Sequence, residues 1–535
     1  MSTTTQALPL RPRGGAAARA ADDPYAHRYL IALTVTLASV LELLDTSIVN
    51  VAIPHMMGTM GATLDQIAWV STGYVVANVI VLPITGWLSA RFGRRRYFAA
   101  SIALFTVASF FCGNAGTLGA LVFWRIVQGV GGGALLSTSQ SILYEVFPRE
   151  EFGTAMAIFG MGVMVGPTLG PTLGGYITDA LGWPWIFYIN IPLGMIALAM
   201  TLGYIKDSRF AQKVAAVDWT GLGLLILGIG SLQTMLERGE RLDWFESGEV
   251  FTLAVVSAVS LVLFVWHELR TEHPIVDLRI LKSRQLSAGI AFAAMLGVCL
   301  YATVFLLPVY LQTLLGFTAE QTGFVILPGA LASAFTMAAM ARTAGKVDGR
   351  ILVVCGVAIF FASMWMHSHF TTQSGQADFF WPLILRGVGL GLIFVPMTNL
   401  ALADLPMEQI PGGTGLYNLT RQLGGSIGIA VTATLVSRYR GQNYAALSEH
   451  VSRYGEATRE RLATITQGLI ARGIPAPLAE TEAIRVIQRQ VMGQAAMLSY
   501  EHLFLLFGVG MALTLPLLLL MRKGKGQPGG AAAAH

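Results

Sequence analysis

Charged residues are scarce in this chain of 535 residues. Asp, Glu, Lys and Arg make up only 12% of the sequence, whereas an ordinary globular chain carries about 25%. Hydrophobic residues account for 54%, and the mean hydropathy is +0.61. This balance excludes an ordinary soluble domain and indicates a polytopic membrane protein.

Several chemical signatures are missing as well. Cys112, Cys299 and Cys355 are scattered through apolar segments, without the spacing of a disulfide framework or a metal site. The chain has no G-x-S-x-G, H-E-x-x-H, P-loop or dinucleotide-binding pattern. We therefore expect no enzymatic activity, no bound metal and no cofactor, and any transport would draw on an ion gradient. The net charge of +5 includes no long basic stripe, which argues against a nucleic-acid surface.

Long apolar runs, by contrast, are abundant. A helical run of about 20 residues spans the ~30 Å hydrocarbon core of a bilayer. Fourteen such runs predict an all-α polytopic membrane protein with 14 transmembrane helices. We number them as spans 1 to 14, and they lie at about 29–53, 67–90, 97–114, 118–143, 152–178, 184–205, 218–236, 250–269, 287–313, 320–342, 351–370, 380–403, 413–437 and 500–521.

The connecting loops differ in their basic residues. The cluster Arg91–Arg96, Lys206 after span 6 and Arg279 before span 9 all fall on the same side of the predicted membrane. Because Lys and Arg accumulate in cytoplasmic loops, this pattern predicts that both termini are cytoplasmic. Residues 1–28 are expected to be a disordered cytoplasmic tail, and residues 522–535 a second cytoplasmic tail.

The chain also repeats itself. The segment Gly61–Gln66 (GATLDQ) matches Gly316–Gln321 (GFTAEQ) at an offset of 255 residues. Arg125 recurs as Arg386 at an offset of 261, each followed by a glycine-rich stretch. Residues 29–205 and 287–521 are therefore predicted to be two related six-helix bundles, with 206–286 as an insert of two further helices. Parallel repeats of this kind place a substrate site at the midplane between the halves.

One long segment, 438–499, falls on the side opposite the basic loops and is therefore predicted to be periplasmic. Both of its halves show apolar residues at helical spacing, with Arg and Glu between them. We expect a helical hairpin that turns at Gly473–Pro477. The segment is either a simple linker or a docking element for a partner protein.

Two acidic residues, Glu42 and Asp45, interrupt the first apolar run. Their spacing of three residues puts them on one face of a helix. A charge at the bilayer centre costs roughly 2.5–3.5 kcal/mol on insertion scales, so such residues are candidates for function. The alternative is that both lie near an interface or serve only helix–helix contacts. The spacing alone does not choose between the two acids.

Four motifs carry a family resemblance. The first three are Asp45-x4-Asn50-x-Ala52-x-Pro54, Gly86-x4-Arg91-x-Gly93-Arg94-Arg95 and Arg125-x2-Gln128-Gly129, and the fourth is Gly162-x3-Gly166-Pro167-x2-Gly170-Pro171-x2-Gly174. Together they resemble the major facilitator superfamily, and most closely its fourteen-span drug:proton antiporter branch of the EmrB type. The loop motif departs from the family at Ala90, where an acid is usual. We therefore do not expect a carboxylate at this position to hold the cytoplasmic gate closed.

The resemblance implies a proton-coupled multidrug efflux antiporter of the bacterial inner membrane that works by alternating access. A proton-coupled symporter, an exporter of one metabolite and a non-transport membrane protein remain alternatives. The resemblance also implies an EmrA-type periplasmic adaptor and an outer-membrane channel as partners, with lipophilic, possibly cationic, compounds as substrates. A buried cation at Arg421 would instead favour anionic or amphipathic compounds.

The resemblance assigns roles to four groups of residues. Proton coupling falls to Glu42, Asp45 and Arg125, and cytoplasmic gating to Gly86, Arg91, Gly93, Arg94 and Arg95. The antiporter helix carries Gly162, Gly166, Pro167, Gly170, Pro171 and Gly174. The substrate cavity is expected between spans 1, 4, 9 and 12, with further residues from span 13. Its candidate residues are Asn50, Gln128, Tyr301, Gln312, Arg386, Asn399, Asn418 and Gln422.

Overall fold

The computed structural model describes residues 27–148, 151–208, 217–343, 347–451 and 455–521. Residues 1–26 and 522–535, which hold most of the two predicted tails, lie outside these ranges. The described residues form helices and connecting turns, with no strand among them. The α-helices, in chain order α1 to α17, are Arg28–Met60, Leu64–Val81, Thr85–Phe92, Arg94–Gly113, Leu118–Val146, Phe152–Leu181, Trp185–Tyr188, Asn190–Tyr204, Trp219–Arg238, Gly248–Arg270, Arg284–Thr313, Ala319–Thr343, Gly349–His367, Phe380–Leu402, Ile410–His450, Glu456–Ala471 and Ala476–Ala512.

The fourteen predicted spans all coincide with helices. In the described part of the chain, 13 helical segments are long and apolar enough to cross a membrane. Helix α15 (Ile410–His450) corresponds to span 13 but is not among them, because polar residues such as Asn418, Arg421 and Gln422 interrupt its apolar stretch. It packs along α11 and α17 inside the bundle, where polar groups are sheltered from lipid. The predicted all-α fold with fourteen spans is confirmed.

The internal repeat is visible at the start of α2 and α12. Gln66 N donates to Thr63 Oγ1 at 3.4 Å and Thr63 N donates to Gln66 Oε1 at 3.0 Å. Thr318 and Gln321 form the same capping box, with distances of 3.1 and 3.0 Å. A glycine with positive φ lies two residues before each threonine, at +60° for Gly61 and +72° for Gly316. The offset of 255 residues therefore relates two identical helix starts.

The helices pack as the repeat predicts. In the first half, α1 packs on α6 and α8, while α5 packs on α2 and α4. In the second half, α11 packs on α15, and α14 packs on α12 and α13. The two halves meet along α6 and α12, and again where residues 82–92 contact the start of α15.

The inserted helices α9 and α10 pack chiefly on each other, and α9 also contacts α2 and α15. Two side-chain hydrogen bonds fix the insert to α15. Gln233 Nε2 donates to Ser426 Oγ at 2.8 Å, and Trp244 Nε1 donates to Thr434 Oγ1 at 2.9 Å. One inserted helix is therefore attached to both halves, whereas the outer face of α10 is exposed and apolar.

The segment 438–499 is helical on both sides of a tight turn. Helix α15 runs on to His450, and α16 and α17 are joined through Arg472–Pro475. Pro477 lies in the first turn of α17, where a proline is tolerated because its N–H would have no partner. Helix α17 then continues without a break into span 14, so the hairpin is a direct extension of the membrane helices.

Candidate functional site

Asp45 lies at the centre of a fully buried polar network in the first half. Arg125 Nη1 donates to Asp45 Oδ2 at 2.5 Å. Gln128 Nε2 and Asn190 Nδ2 both donate to Asp45 Oδ1, at 2.9 and 2.8 Å. Ser109 Oγ accepts from the same two amides and donates to Phe187 O at 2.9 Å. Helices α1, α4, α5 and α8 therefore each contribute a polar side chain around one carboxylate.

Arg125 is held on several sides. Its Nε donates to Val70 O at 3.0 Å, and its Nη1 also donates to Gln128 Oε1 at 2.8 Å. The guanidinium lies 4.2 Å from the centre of the Tyr74 ring, within range of a cation–π interaction. With 1% of Arg125 and none of Asp45 exposed, the pair is a desolvated ion pair satisfied by surrounding hydrogen bonds.

Glu42 is buried as well, but its contacts differ from those of Asp45. Its Oε1 accepts from Asn78 Nδ2 of α2 at 3.0 Å, and its Oε2 has no hydrogen-bond partner among the described residues. Arg421 of the second half is close enough to interact with it electrostatically. The two acids, three residues apart on α1, therefore belong to different surroundings. Asp45 is enclosed within the first half, and Glu42 lies near the second.

Sequence reasoning missed three members of these networks: Asn78, Ser109 and Asn190. Each is a single polar residue inside an apolar run, and that was the available signal. Helical spacing relates residues within one helix only. It does not show that α2, α4 and α8 turn these side chains toward the acids on α1.

Helix α6, with its glycines and prolines, lies directly against α1. An added methyl group at Gly166 would come within 2.8 Å of Leu43 Cβ, and one at Gly174 within 2.8 Å of Ile48 Cγ1. Gly162 and Gly170 are in similarly close contact with Thr36 and Ser47. Glycines at these positions let the two helices approach closely, and Pro167 and Pro171 lie inside the same helix. The motif therefore packs against the helix that carries both acids.

A cavity lies between the two halves. Arg386 and Arg421 both contribute to its wall, and most of the remaining wall is apolar. The lining residues are Leu43, Val163, Met164, Pro167, Leu300, Tyr301, Val304, Ile326, Gly329, Ala330, Ser333, Arg386, Gly387, Leu390, Phe394 and Arg421. They come from α1 and α6 of the first half and from α11, α12, α14 and α15 of the second.

Three of the predicted cavity residues are at this cavity. Tyr301 and Arg386 line it, and Gln422 accepts a hydrogen bond from Tyr301 Oη at 3.4 Å. Gln128 instead belongs to the Asp45 network. Asn50 is exposed and accepts from Ser71 Oγ at 3.2 Å. Gln312 is exposed near the end of α11.

The other two, Asn399 and Asn418, connect the halves. Tyr144 Oη donates to Asn399 Oδ1 at 2.8 Å, and Asn418 Nδ2 donates to Gln140 Oε1 at 2.7 Å. Nearby, an added methyl group at Gly415 would come within 2.8 Å of Leu82 O. One at Gly86 would come within 3.0 Å of Gly412 N. The halves are therefore tightly closed at the end that carries Arg91–Arg96, which we call the arginine-rich loop.

Carboxylates from other parts of the chain contact the arginine-rich loop. Arg94 pairs with Glu145 of α5 and donates to Lys206 O at 3.1 Å. Arg95 N donates to Asp207 Oδ1 at 2.9 Å. Ala90 leaves this loop without the acid that the family resemblance implies there, and Glu145 and Asp207 supply negative charge to it. Gly93 provides the turn between α3 and α4, and Arg91 is exposed.

Comparison with known proteins gives independent information on the family of this chain. The chain is 35% identical over 493 residues to the fatty acid resistance protein FarB of Neisseria gonorrhoeae, covering 92% of this chain and 96% of that protein. It is 34% identical over 509 residues to the multidrug export protein EmrB of Escherichia coli K12, covering 95% and 98%. It is 27% identical to the colistin resistance protein EmrB of Acinetobacter baumannii, covering 91% and 94%.

A solved structure supports the fold. The human organic anion transporter MFSD10 (TETRAN) superposes with a TM-score of 0.57 at 13% identity, covering 90% of this chain and 99% of that one. Likeness at this identity bears on the fold alone. The family description that matches residues 35–429 is that of the Major Facilitator Superfamily. This multi-pass membrane protein, with its two related helical halves and the cavity between them, belongs to the Major Facilitator Superfamily.

Proposed function

We propose that the protein is a proton-coupled efflux antiporter for lipophilic compounds. The observation that carries this proposal is the buried network of Asp45, Arg125, Gln128 and Asn190, which lies in the half that also supplies α1 and α6 to the cavity. The names of the relatives, which denote multidrug export and resistance to fatty acids or colistin, support an export function.

Two acids would carry the protons. A carboxylate that is fully buried and paired with a cation can exchange its ion pair for a bound proton, which changes its charge and its hydrogen bonds. Protonation of Asp45 would release Arg125 from the ion pair, and Arg125 would keep its bonds to Val70 O and Gln128. Protonation of Glu42 would remove a negative charge from the electrostatic surroundings of Arg421. Both events alter the helices that meet the cavity.

Alternating access would follow from rocking of the two halves. The end with the arginine-rich loop is closed through Tyr144, Asn399 and Asn418. Rocking of the halves away from this closed arrangement would break these contacts and open the cavity toward that end. Gly86, Arg91, Gly93, Arg94 and Arg95 would then act as the gating loop, with Glu145 and Asp207 as their counter-charges.

We further propose that the protein resides in the bacterial inner membrane with both termini in the cytoplasm. The hairpin of α16 and α17 would then project into the periplasm. It would offer a contact surface for a periplasmic adaptor that leads to an outer-membrane channel. Failure of the protein to capture such an adaptor in nanodiscs, with the intact hairpin present, would argue against the tripartite assembly.

The test is proton flux in proteoliposomes with an imposed pH gradient. Lumenal pH is followed while a panel of lipophilic compounds that includes ethidium is added. Proton movement opposite to substrate movement, lost in Asp45→Asn or Glu42→Gln, is the expected result. Proton movement in the same direction as the substrate would replace the antiporter with a symporter. Absence of any substrate-dependent flux across the panel would count against transport coupled to protons.

A further inference from the structure

Among the described residues, the two cations of the cavity, Arg386 and Arg421, form no ion pair, although Glu42 is close enough to Arg421 to interact with it electrostatically. Within the described residues, neither arginine has a carboxylate oxygen within the 4.0 Å of an ion pair. Arg421 is 2% exposed, and its Nε and Nη1 have no hydrogen-bond partner in the part of the chain that the structure describes. Arg386 is 8% exposed. Buried cations without partners are costly, so this arrangement indicates a site that a ligand completes.

The internal repeat allows Arg386 to be compared with its counterpart in the first half, Arg125. Arg125 of the first half is paired with Asp45 on α1. Arg386 is the counterpart of Arg125 in the second half, and the counterpart of α1 is α11. Helix α11, Arg284–Thr313, contains neither Asp nor Glu. The second half has kept the cation of the repeat without the carboxylate that neutralises it in the first half.

The rest of the wall suits a hydrophobic body. Leu300, Val304, Ile326 and Leu390 line the cavity, and none of its described lining residues is acidic. The Arg421 guanidinium lies 5.0 Å from the centre of the Phe394 ring, which orients it.

A further polar group adds to the two arginines. Ser333 also lines the cavity, and its buried hydroxyl has no hydrogen-bond partner within the described ranges. One hydroxyl group and two guanidinium groups therefore lie on the wall of the same cavity.

We propose that the cavity binds amphipathic organic anions, with the headgroup on Arg386 and Arg421 and the hydrophobic body against the apolar wall. This inference rests on the proposed efflux function and names its substrate class. A planar carboxylate matches the fork of a guanidinium with two parallel hydrogen bonds. A lipophilic cation of the same shape would meet two positive charges and no carboxylate in the lining. The proposal therefore favours anionic compounds over the lipophilic, possibly cationic, compounds that the family resemblance implies.

The test compares two probes that share one hydrophobic body, 1-pyrenebutyrate and 1-pyrenebutyltrimethylammonium. Equilibrium dialysis is carried out with the full-length protein in nanodiscs, and binding to empty nanodiscs is subtracted. The wild type is expected to bind the anion at least about tenfold more tightly than the cation. Loss of a charge-assisted hydrogen bond corresponds to roughly tenfold or more in affinity. We therefore expect Arg421→Gln and Arg386→Gln each to weaken anion binding by that factor.

Two control variants make the result specific. Arg461→Gln removes one cation from the exposed surface of α16 and is expected to leave both affinities unchanged. Arg421→Lys keeps the charge and is expected to retain part of the anion preference. If a glutamine variant fails to give a monodisperse protein, the probe comparison in the wild type and in Arg421→Lys decides the question. Equal binding of both probes, or unchanged anion binding in the glutamine variants, would overturn the inference.

The inference and the proposed function can fail separately. Asp45→Asn is expected to abolish proton-coupled transport while leaving 1-pyrenebutyrate binding intact, because Asp45 does not line the cavity. Anion binding in a wild type that moves no protons would overturn only the proposed function. Proton-coupled export of ethidium by a protein that does not bind the anion would overturn only the anion site.

Discussion

The ion pair between Arg125 and Asp45 makes a quantitative prediction. Replacing Arg125 by Gln leaves the Asp45 carboxylate buried, with Gln128 and Asn190 as its remaining donors. It also removes the bond to Val70 O and the contact with Tyr74. Removal of one partner from a buried ion pair costs about 3–5 kcal/mol. Since two donors stay on Asp45, we expect the lower end, about 3 kcal/mol, in the free energy of unfolding.

A double-mutant cycle measures the pair itself. Arg125→Gln and Asp45→Asn each leave one buried charge without its ion-pair partner, whereas the double variant removes both charges. The double variant is therefore expected to be more stable than the sum of the single losses, by about 2 kcal/mol or more. Reversible unfolding in mixed dodecyl sulfate and dodecyl maltoside micelles is the assay.

Arg421→Gln serves as the matched control for this cycle. It removes a similarly buried cation that forms no ion pair within 4.0 Å among the described residues, and it should destabilise less than Arg125→Gln. Additive single losses, or losses below about 1 kcal/mol for each single variant, would refute this reasoning.

Two further predictions concern contacts between helices. Gly415→Val should overpack the contact with Leu82 O and so destabilise the closed arrangement, and only that one, by about 1–3 kcal/mol. The equilibrium should therefore shift toward separated halves by roughly 5- to 150-fold. Distances between spin labels on the two halves would report the shift; Gly203→Val, whose added side chain starts in open space, should leave them unchanged. Gln233→Leu should loosen the insert by leaving Ser426 without its amide donor, which faster hydrogen exchange in α9 would detect. Unaltered exchange there would mean that this bond does not hold the insert.

Much of the fold could be predicted because a bilayer imposes simple rules. The length of the apolar runs predicted the number and positions of the spans, and the two segments related by the offset of 255 residues form matching capping boxes. Helix α15 shows where the rule weakens. Its polar residues face other helices, and only the repeat and the loop pattern identify it as a span.

The site was less predictable, because it depends on which way each helix turns. The spacing of Glu42 and Asp45 placed them on one face, yet their partners come from different helices. Asn399 and Asn418 are polar residues in membrane helices, as expected of a cavity lining, but they bond across the closed interface. Such outcomes depend on contacts between helices far apart in the sequence, which one sequence does not encode in its spacing.

The central claim is that buried acids couple protons to substrate movement. The most direct measurement compares uphill transport driven by a pH gradient with substrate counterflow in the absence of a gradient, in Asp45→Asn proteoliposomes. Counterflow requires substrate binding and reorientation, and only uphill transport requires the proton. We predict that the variant keeps counterflow and loses gradient-driven accumulation. Undiminished uphill transport in the Asp45→Asn variant would contradict the claim.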